Sequence, residues 1–172
     1  MANPLLVNAA ELLRRSGLQK DFVMQVPLVD LEVVDDPRFV DGTEVDVRLH
    51  LESMNDGIVV DGTVSVPWVG TCRRCLEPTG DTSVSEVHEL YQRTLTDPDA
   101  FEIVGEQVDL RALARELVLL DAPSTPLCRP DCAGLCPTCG INLNEGSCSC
   151  SGPPVDPRWS ALDQLKSDTG DR

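Results

Sequence analysis

The eight cysteines constrain this chain of 172 residues more than any other feature, because all of them fall in closely spaced pairs. A turn with two cysteines two or three residues apart presents two sulfur atoms to one ion, and two such turns complete a tetrahedral site. Eight cysteines therefore suit two closed sites that leave no open position for a catalytic water. The four pairs are Cys72 and Cys75, Cys128 and Cys132, Cys136 and Cys139, and Cys148 and Cys150.

Spacing favours one way of dividing these cysteines between two ions. The segment Cys136–Gly140 has the form of a zinc knuckle, in which the glycine relieves the backbone as it folds back to the metal. Because Cys148 and Cys150 follow after a short loop, we expect Cys136, Cys139, Cys148 and Cys150 to hold one Zn²⁺. The second, long-range Zn²⁺ site then consists of Cys72, Cys75, Cys128 and Cys132.

A second division of the cysteines stays open at this point. It groups Cys128, Cys132, Cys136 and Cys139. It leaves Cys72 and Cys75 unpaired or redox-active, and it leaves Cys148 and Cys150 without partners. In the first division, the long-range site would attach the segment after the predicted helix to the β-rich body. Structural zinc in finger peptides contributes ~10–16 kcal/mol of apparent binding free energy, so folding would depend on the metal.

The amino-terminal sequence predicts no export. Asn8 and Glu11 interrupt its apolar run, which also lacks the positive stretch that precedes it in a signal peptide. We therefore expect a cytoplasmic protein, in a reducing compartment where paired cysteines bind metal more often than they form disulfides. Four thiolates also suit iron, so an iron–sulfur cluster stays open as an alternative to zinc.

The net charge of -15 at pH 7 narrows the class of partner. Affinity for nucleic-acid phosphates comes from cationic side chains, so direct RNA contact would need arginines to gather in space, for example Arg73, Arg74 and Arg129. Aromatic residues make up 3% of the chain, which leaves few rings for stacking on bases. A basic protein partner suits the chain better than bare RNA or DNA.

Alternation of apolar and polar residues predicts most of the strands. Glu44–Glu52 alternates strictly, and Met54–Gly57 forms a turn before the alternation resumes over Ile58–Val66, which indicates a β-hairpin with a bulge at Gly62. A weaker alternating segment predicts a strand over Thr82–Gln92.

A further strand is predicted over Phe22–Leu31, where Pro27 restricts it to a sheet edge or a strand end. Helical spacing of apolar residues predicts a helix over Leu110–Leu120, capped by Asp109. His50 and His88 each stand alone on a strand pattern, which favours solvent-facing residues rather than ligands or bases.

The predicted fold class is α+β. It comprises a β-rich antiparallel sheet or partly open barrel with one main helix, a small C-terminal zinc-knuckle segment and a short terminal helix. Residues 1–127 would form an acidic β-rich body with its helix at about 109–120. Residues 128–150 would form the cysteine-rich zinc-binding segment, and residues 151–172 a linker, a short amphipathic helix that begins at Asp156, and a tail.

Enzymatic activity is not expected from the sequence. It contains no HExxH motif, no histidine-rich set that would hold a catalytic zinc, no phosphate-binding GxxxxGK[ST] motif, and no serine or cysteine beside a plausible base. We therefore predict a binding protein whose metal is structural, with no catalytic or other cofactor-binding residues.

Four motifs together resemble the YceD family, the large ribosomal RNA subunit accumulation proteins, in its actinobacterial or Gram-positive style. They are GTCRRCLEP at 70–78, PLCRPDCAGLCPTCGINLN at 126–144, CSC at 148–150 and DPRWSALDQL at 156–165. The resemblance implies a non-enzymatic ribosome biogenesis factor that supports accumulation or processing of 23S rRNA. Its partner would be a large-subunit precursor or a basic ribosomal protein.

The resemblance also supports the first division of the cysteines. Some members keep the CxRC motif and a later cysteine or histidine cluster while lacking the GLCPxCG and CxC block, so the site at Cys72 and Cys75 has to be self-contained. Two alternatives from other classes stay open, a redox-sensing thiol switch and a zinc-ribbon interaction module unrelated to ribosomes.

Overall fold

The computed structural model describes residues 5–151 and Arg158, and its elements follow the alternation of apolar and polar residues. The strands are β1 (Leu6–Asn8), β2 (Gln19–Pro27), β3 (Glu44–Ser53), β4 (Gly57–Thr71), β5 (Pro78–Gln92), β6 (Phe101–Glu102) and β7 (Gln107–Asp109). The helical elements in the described residues are α1 (Arg111–Asp121) and two 3-10 helices at Leu12–Arg14 and Leu28–Leu31.

Five of the strands form one sheet in the order β2-β3-β4-β5-β6, and β1 and β7 form a separate antiparallel pair. Neighbouring strands from β2 to β5 are antiparallel, whereas β6 runs parallel to the end of β5. The described sheet is therefore mixed at one edge, and it does not close on itself. The prediction of an α+β, β-rich fold with one main helix is confirmed.

One face of this sheet forms the hydrophobic core. Val45, Val47 and Leu49 on β3 are buried on that face, and α1 covers it with Leu113 and Val118. Burial of each aliphatic side chain of this size stabilises the fold by ~1.5–3 kcal/mol, so the alternation that predicted the strands also supplies the main driving force for the sheet.

Each predicted strand overlaps an observed one, but the bounds differ, and β2 begins at Gln19 rather than at Phe22. β4 extends to Thr71 and β5 begins at Pro78, so the two form a hairpin of 15-residue strands. β2 lies at the sheet edge and ends at Pro27, where the missing N–H stops the ladder. The continuation of that strand to Leu31 is wrong, because residues 28–31 form a 3-10 helix.

The prediction of a β-bulge at Gly62 is wrong. Gly62 pairs with Leu49 on one side and Val87 on the other, and neither ladder contains an inserted residue. Its φ angle is 146°, and a Cβ atom there would lie 2.1 Å from the carbonyl oxygen of Arg48. Glycine is therefore required by the close approach of the neighbouring backbone.

The main helix begins one residue later than predicted. The predicted cap at Asp109 is wrong, because Leu110 occupies the N-cap position and no side chain caps the helix. The Asp109 carboxylate, one residue earlier, accepts the backbone N–H of Arg111 at 2.9 Å. At the other end, Arg38 Nη1 donates to the carbonyl oxygens of Leu119 and Ala122 at 3.0 and 2.7 Å. The predicted terminal helix within residues 151–172 lies outside the described residues.

Candidate metal centres

The tip of the β4–β5 hairpin carries the first pair of cysteines. Thr71 pairs with Pro78, so the chain reverses within the six residues between them. The N–H of Cys72 donates to the Glu77 carbonyl at 2.8 Å, and the N–H of Leu76 donates back to the Cys72 carbonyl at 2.9 Å. Leu76 has a φ angle of 61°, a left-handed conformation that the tight turn imposes on a residue other than glycine.

The chain that follows α1 brings the second pair to this tip. The Pro126 carbonyl accepts the N–H of Arg73 at 2.9 Å. Arg74 makes two contacts with the next residues: its Nη1 donates to the Cys132 carbonyl at 3.0 Å, and its own carbonyl accepts the N–H of Leu135 at 3.0 Å. These hydrogen bonds fix the segment that carries Cys128 and Cys132 against the hairpin.

Cys72, Cys75, Cys128 and Cys132 form what we call the first cluster, and their four sulfur atoms all lie within 4.8 Å of one another. The Sγ atoms of Cys72 and Cys132 are 3.8 Å apart, and those of Cys75 and Cys128 are 3.6 Å apart. A tetrahedral ion with Zn–S bonds of ~2.3 Å places its sulfurs about 3.8 Å apart, whereas a disulfide joins them at ~2.0 Å. The first cluster is positioned to hold one metal ion.

Cys136, Cys139, Cys148 and Cys150 form the second cluster, whose sulfur atoms also lie within 4.8 Å of one another. Gly140 has a φ angle of 75°, and its N–H donates to the Cys136 carbonyl at 2.9 Å, which repeats the turn around Leu76. The structure thus brings the cysteines together in the first of the two divisions. The alternative grouping of Cys128 and Cys132 with Cys136 and Cys139 is not formed.

Backbone N–H groups favour the thiolate form at the leading cysteine of each knuckle. Those of Cys75 and Cys128 lower the pKa of Cys72 to about 5. In the second cluster, N–H groups of Cys139 and Thr138 lower the pKa of Cys136 to about 6. A hydrogen bond with Cys139 instead raises the pKa of Cys150 to about 12. Because neighbouring thiolates repel one another, a full set of four charged ligands needs a cation between them.

The arginines that the sequence suggested as an RNA contact do lie at the first cluster, but two of them are engaged within the chain. Arg74 donates a hydrogen bond to the Cys132 carbonyl, and Arg129 Nη2 donates to Asn144 Oδ1 at 2.8 Å. Arg73 is exposed. Sequence reasoning missed Leu76 and Asn144, although Asn144 belongs to the motif GINLN that follows the second knuckle.

His50 and His88 lie on the outer face of the sheet, as predicted, away from both clusters. They belong to one row that crosses four strands in register, in which Asp21 pairs with His50, His50 with Asp61, and Asp61 with His88. His50 Nδ1 lies 2.6 Å from Asp21 Oδ1, and His88 contacts Asp61 in the same way. These carboxylates raise the pKa of both histidines.

Comparison with known proteins places the chain in a family. The profile described as "Large ribosomal RNA subunit accumulation protein YceD" matches residues 60–166, a range that includes both clusters. The chain therefore belongs to the YceD family, which confirms the resemblance carried by its motifs. Among the described residues, no helix is long and apolar enough to cross a membrane.

Relatives extend the match over most of the chain. An uncharacterized protein of Mycobacterium tuberculosis is 33% identical over 175 residues, which cover 96% of this chain and 83% of the relative. An uncharacterized protein of Mycobacterium leprae is 30% identical over 180 residues, with 96% and 79% covered. The Arabidopsis thaliana protein named "Large ribosomal RNA subunit accumulation protein YCED homolog 1, chloroplastic" is 25% identical over 161 residues, with 74% and 50% covered. No solved structure matches the chain.

Proposed function

We propose that this chain is a non-enzymatic ribosome biogenesis factor that supports accumulation or processing of the 23S rRNA of the large subunit. Membership of the YceD family, by a match over residues 60–166, is the observation that carries this proposal. Within it, the eight cysteines hold two structural Zn²⁺ ions, and the acidic surface binds a basic ribosomal protein or a large-subunit precursor. The chain would act in the cytoplasm.

The chemistry of the ligands supports zinc at both clusters. Four thiolates form a closed tetrahedral site that zinc fills without redox activity and without a position for substrate. Sulfur atoms within 4.8 Å of one another leave room for a single ion, whereas irons and sulfides between the thiolates would spread the ligands further apart. In the first cluster the ion would tie the hairpin tip to the chain that leaves α1.

The outer face of the sheet supports a basic partner. The register of β2 to β5 places six acidic side chains on this face. The same strands place one arginine there, Arg48. The carboxylates belong to Asp21, Glu44, Asp46, Glu52, Asp61 and Glu86. A surface with one predominant sign of charge accelerates encounter with an oppositely charged protein and rejects bare phosphate backbones.

The proposal also includes three segments of the chain with stated boundaries. Residues 1–127 are the acidic β-rich body, residues 128–150 the zinc-binding segment, and residues 151–172 a linker, a short helix and a tail. Limited proteolysis of the metal-loaded protein tests it. We expect the first cuts within residues 151–172, with the body and the zinc-binding segment recovered as one resistant fragment.

Depletion of the protein in growing cells tests the function. We expect a lower ratio of large to small subunits on sucrose gradients, restored by the wild-type chain and not by Cys132→Ser. An unchanged ratio after depletion would contradict the proposal. Crosslinking followed by affinity purification then identifies the neighbours, and we expect a basic ribosomal protein to be the main one.

A further inference from the structure

One side chain from the loop that joins the cysteines of the second cluster contacts a cysteine of the first cluster. Asn144 lies in the loop that joins Cys139 to Cys148, and its Nδ2 donates to Cys132 Sγ at 3.4 Å. Its Oδ1 accepts the N–H of Ala133 at 2.9 Å and Arg129 Nη2 at 2.8 Å. The loop that completes the second cluster therefore supplies a hydrogen bond to a sulfur ligand of the first.

The Asn144 amide is held in a fixed orientation. Asn142 Oδ1 accepts both the backbone N–H and the Nδ2 of Asn144, at 3.1 and 2.8 Å. The N–H of the intervening Leu143 donates to the Gly134 carbonyl at 2.8 Å. The side chain thus makes two donor and two acceptor contacts, which is the full set that an amide offers. A rotated or substituted side chain would lose several of these bonds together.

Gly134 explains how the two clusters come this close. It has a φ angle of 75°, and a Cβ atom there would lie 3.1 Å from the carbonyl oxygen of Arg74, on the hairpin tip of the first cluster. The neighbouring Leu135 donates its N–H to that same carbonyl, while the Cys136 N–H donates to the Ile141 carbonyl of the second knuckle. The short link from Cys132 to Cys136 therefore joins the backbones of both clusters.

We propose that Asn144 is a positioning residue that couples the two metal sites. An ion in the second cluster fixes the loop between Cys139 and Cys148, and this loop holds the Asn144 N–H against the Cys132 sulfur. The first cluster therefore retains its ion more tightly when the second is filled, and by linkage the second gains equally from the first. This inference rests on the metal sites of the proposed function.

Cadmium-113 NMR of the full chain tests the coupling, because each thiolate cluster gives its own resonance. A Cys148→Ser, Cys150→Ser double variant loses one resonance and so assigns the other to the first cluster. Loss of an outer-shell partner typically lowers metal affinity ~10–100-fold, and we expect Asn144→Ala to weaken cadmium retention there by this factor in competition with a chelator. Asn144→Asp, which places a carboxylate beside the thiolates, should weaken retention at least as much.

Two controls make the test specific. Asn55→Ala changes an exposed asparagine in the turn between β3 and β4 and should retain both ions like the wild type. In the background without Cys148 and Cys150, Asn144→Ala should have a much smaller effect on the first cluster, since the loop is no longer fixed. Such a loss of additivity separates coupling from a merely structural role.

The outcomes are distinguishable. Equal cadmium retention by Asn144→Ala and the wild type, with both resonances present, would overturn the coupling and leave the two metal sites standing. An equal effect of Asn144→Ala with and without the second cluster would also overturn it. A wild-type chain that gives no thiolate-bound cadmium resonance would overturn the metal sites and the coupling together.

Discussion

The two cysteine clusters offer the same four sulfur ligands in very different surroundings. The first joins a hairpin tip to a segment 53 residues further along the chain, from Cys75 to Cys128, and three of its four cysteines are buried. The second takes all its ligands from residues 136–150, and three of its four cysteines are exposed. One cluster thus closes a long loop within the fold, whereas the other closes a short surface loop.

This difference assigns the clusters different roles. Closing a longer loop removes more conformational entropy, though the increase with length is slow. The first cluster also lies between the long hairpin and the exit of α1, so its ion would connect two parts of the core-forming structure. An ion in the second cluster would order its own loop and, by the coupling proposed above, would support the first cluster through Asn144. Variants at matched positions of the two clusters separate these roles.

The largest effect is expected for Cys132→Ser. It removes a buried cysteine of the first cluster and so weakens the binding of an ion that, in structural zinc sites, contributes ~10–16 kcal/mol of apparent free energy. Because folded domains are stable by only ~5–15 kcal/mol, the variant should unfold at growth temperature or melt far below the wild type. Circular dichroism melting measures this, and unchanged melting would contradict a structural role for the first cluster.

A smaller effect is expected for Cys148→Ser, the matched change in the second cluster. It should release one zinc and expose residues 136–150, while the sheet stays folded because none of its strands contributes a ligand to this cluster. Hydrogen exchange measures both regions in one experiment. Faster exchange throughout β3, β4 and β5, to the extent seen with Cys132→Ser, would contradict the distinction between the clusters.

The equivalent turns of the two knuckles give the third comparison. Gly140→Ala places a side chain in a left-handed conformation and should destabilise the second cluster by ~1 kcal/mol. Leu76 has the same left-handed conformation, and the reciprocal Leu76→Gly removes its backbone strain. Because glycine also adds conformational freedom to the unfolded chain, the two effects on the free energy of unfolding should cancel to within about 0.5 kcal/mol. Denaturant titration of the zinc-loaded variants measures both, and a large loss for Leu76→Gly would contradict this view of the turn.

The smallest effect concerns the row of histidines, which serves as a metal-independent reference. Hydrogen bonds to Asp21 and Asp61 raise the pKa of His50 and His88 above the ordinary value of 6.5. The stabilisation by these pairs is therefore fully present below that value and is lost as the pH rises through the raised pKa. NMR titration should give a lower pKa for His88 in Asp61→Asn, with a smaller decrease for His50. Unchanged titration would contradict the pairing.

Sequence reasoning succeeds where the determinant is local. Strict alternation over Glu44–Glu52 predicts β3, because a half-buried strand requires that period. The ends of β4 and β5 extend past the predicted bounds because backbone pairing continues through Gly70 and Gly80, which carry no side-chain pattern. Gly62 is misassigned because the approach of the Arg48 carbonyl depends on a neighbouring strand.

The two metal sites show the same contrast between local and long-range determinants. The knuckle at Cys136–Gly140 is evident from spacing and a glycine, and its positive φ angle agrees with that expectation. The first cluster follows from the sequence only as a remainder after the second is assigned, because its halves are brought together by the fold. Asn144 has no sequence signal beyond its motif, since its contact with Cys132 depends on how the two clusters pack.

Native mass spectrometry of protein purified without added metal or chelator most directly tests whether these clusters are structural zinc sites. We predict a chain that carries two zinc ions with all eight cysteines reduced. A folded chain without metal whose cysteines are joined as disulfides would contradict this prediction, as would a folded chain with iron and inorganic sulfide in place of zinc.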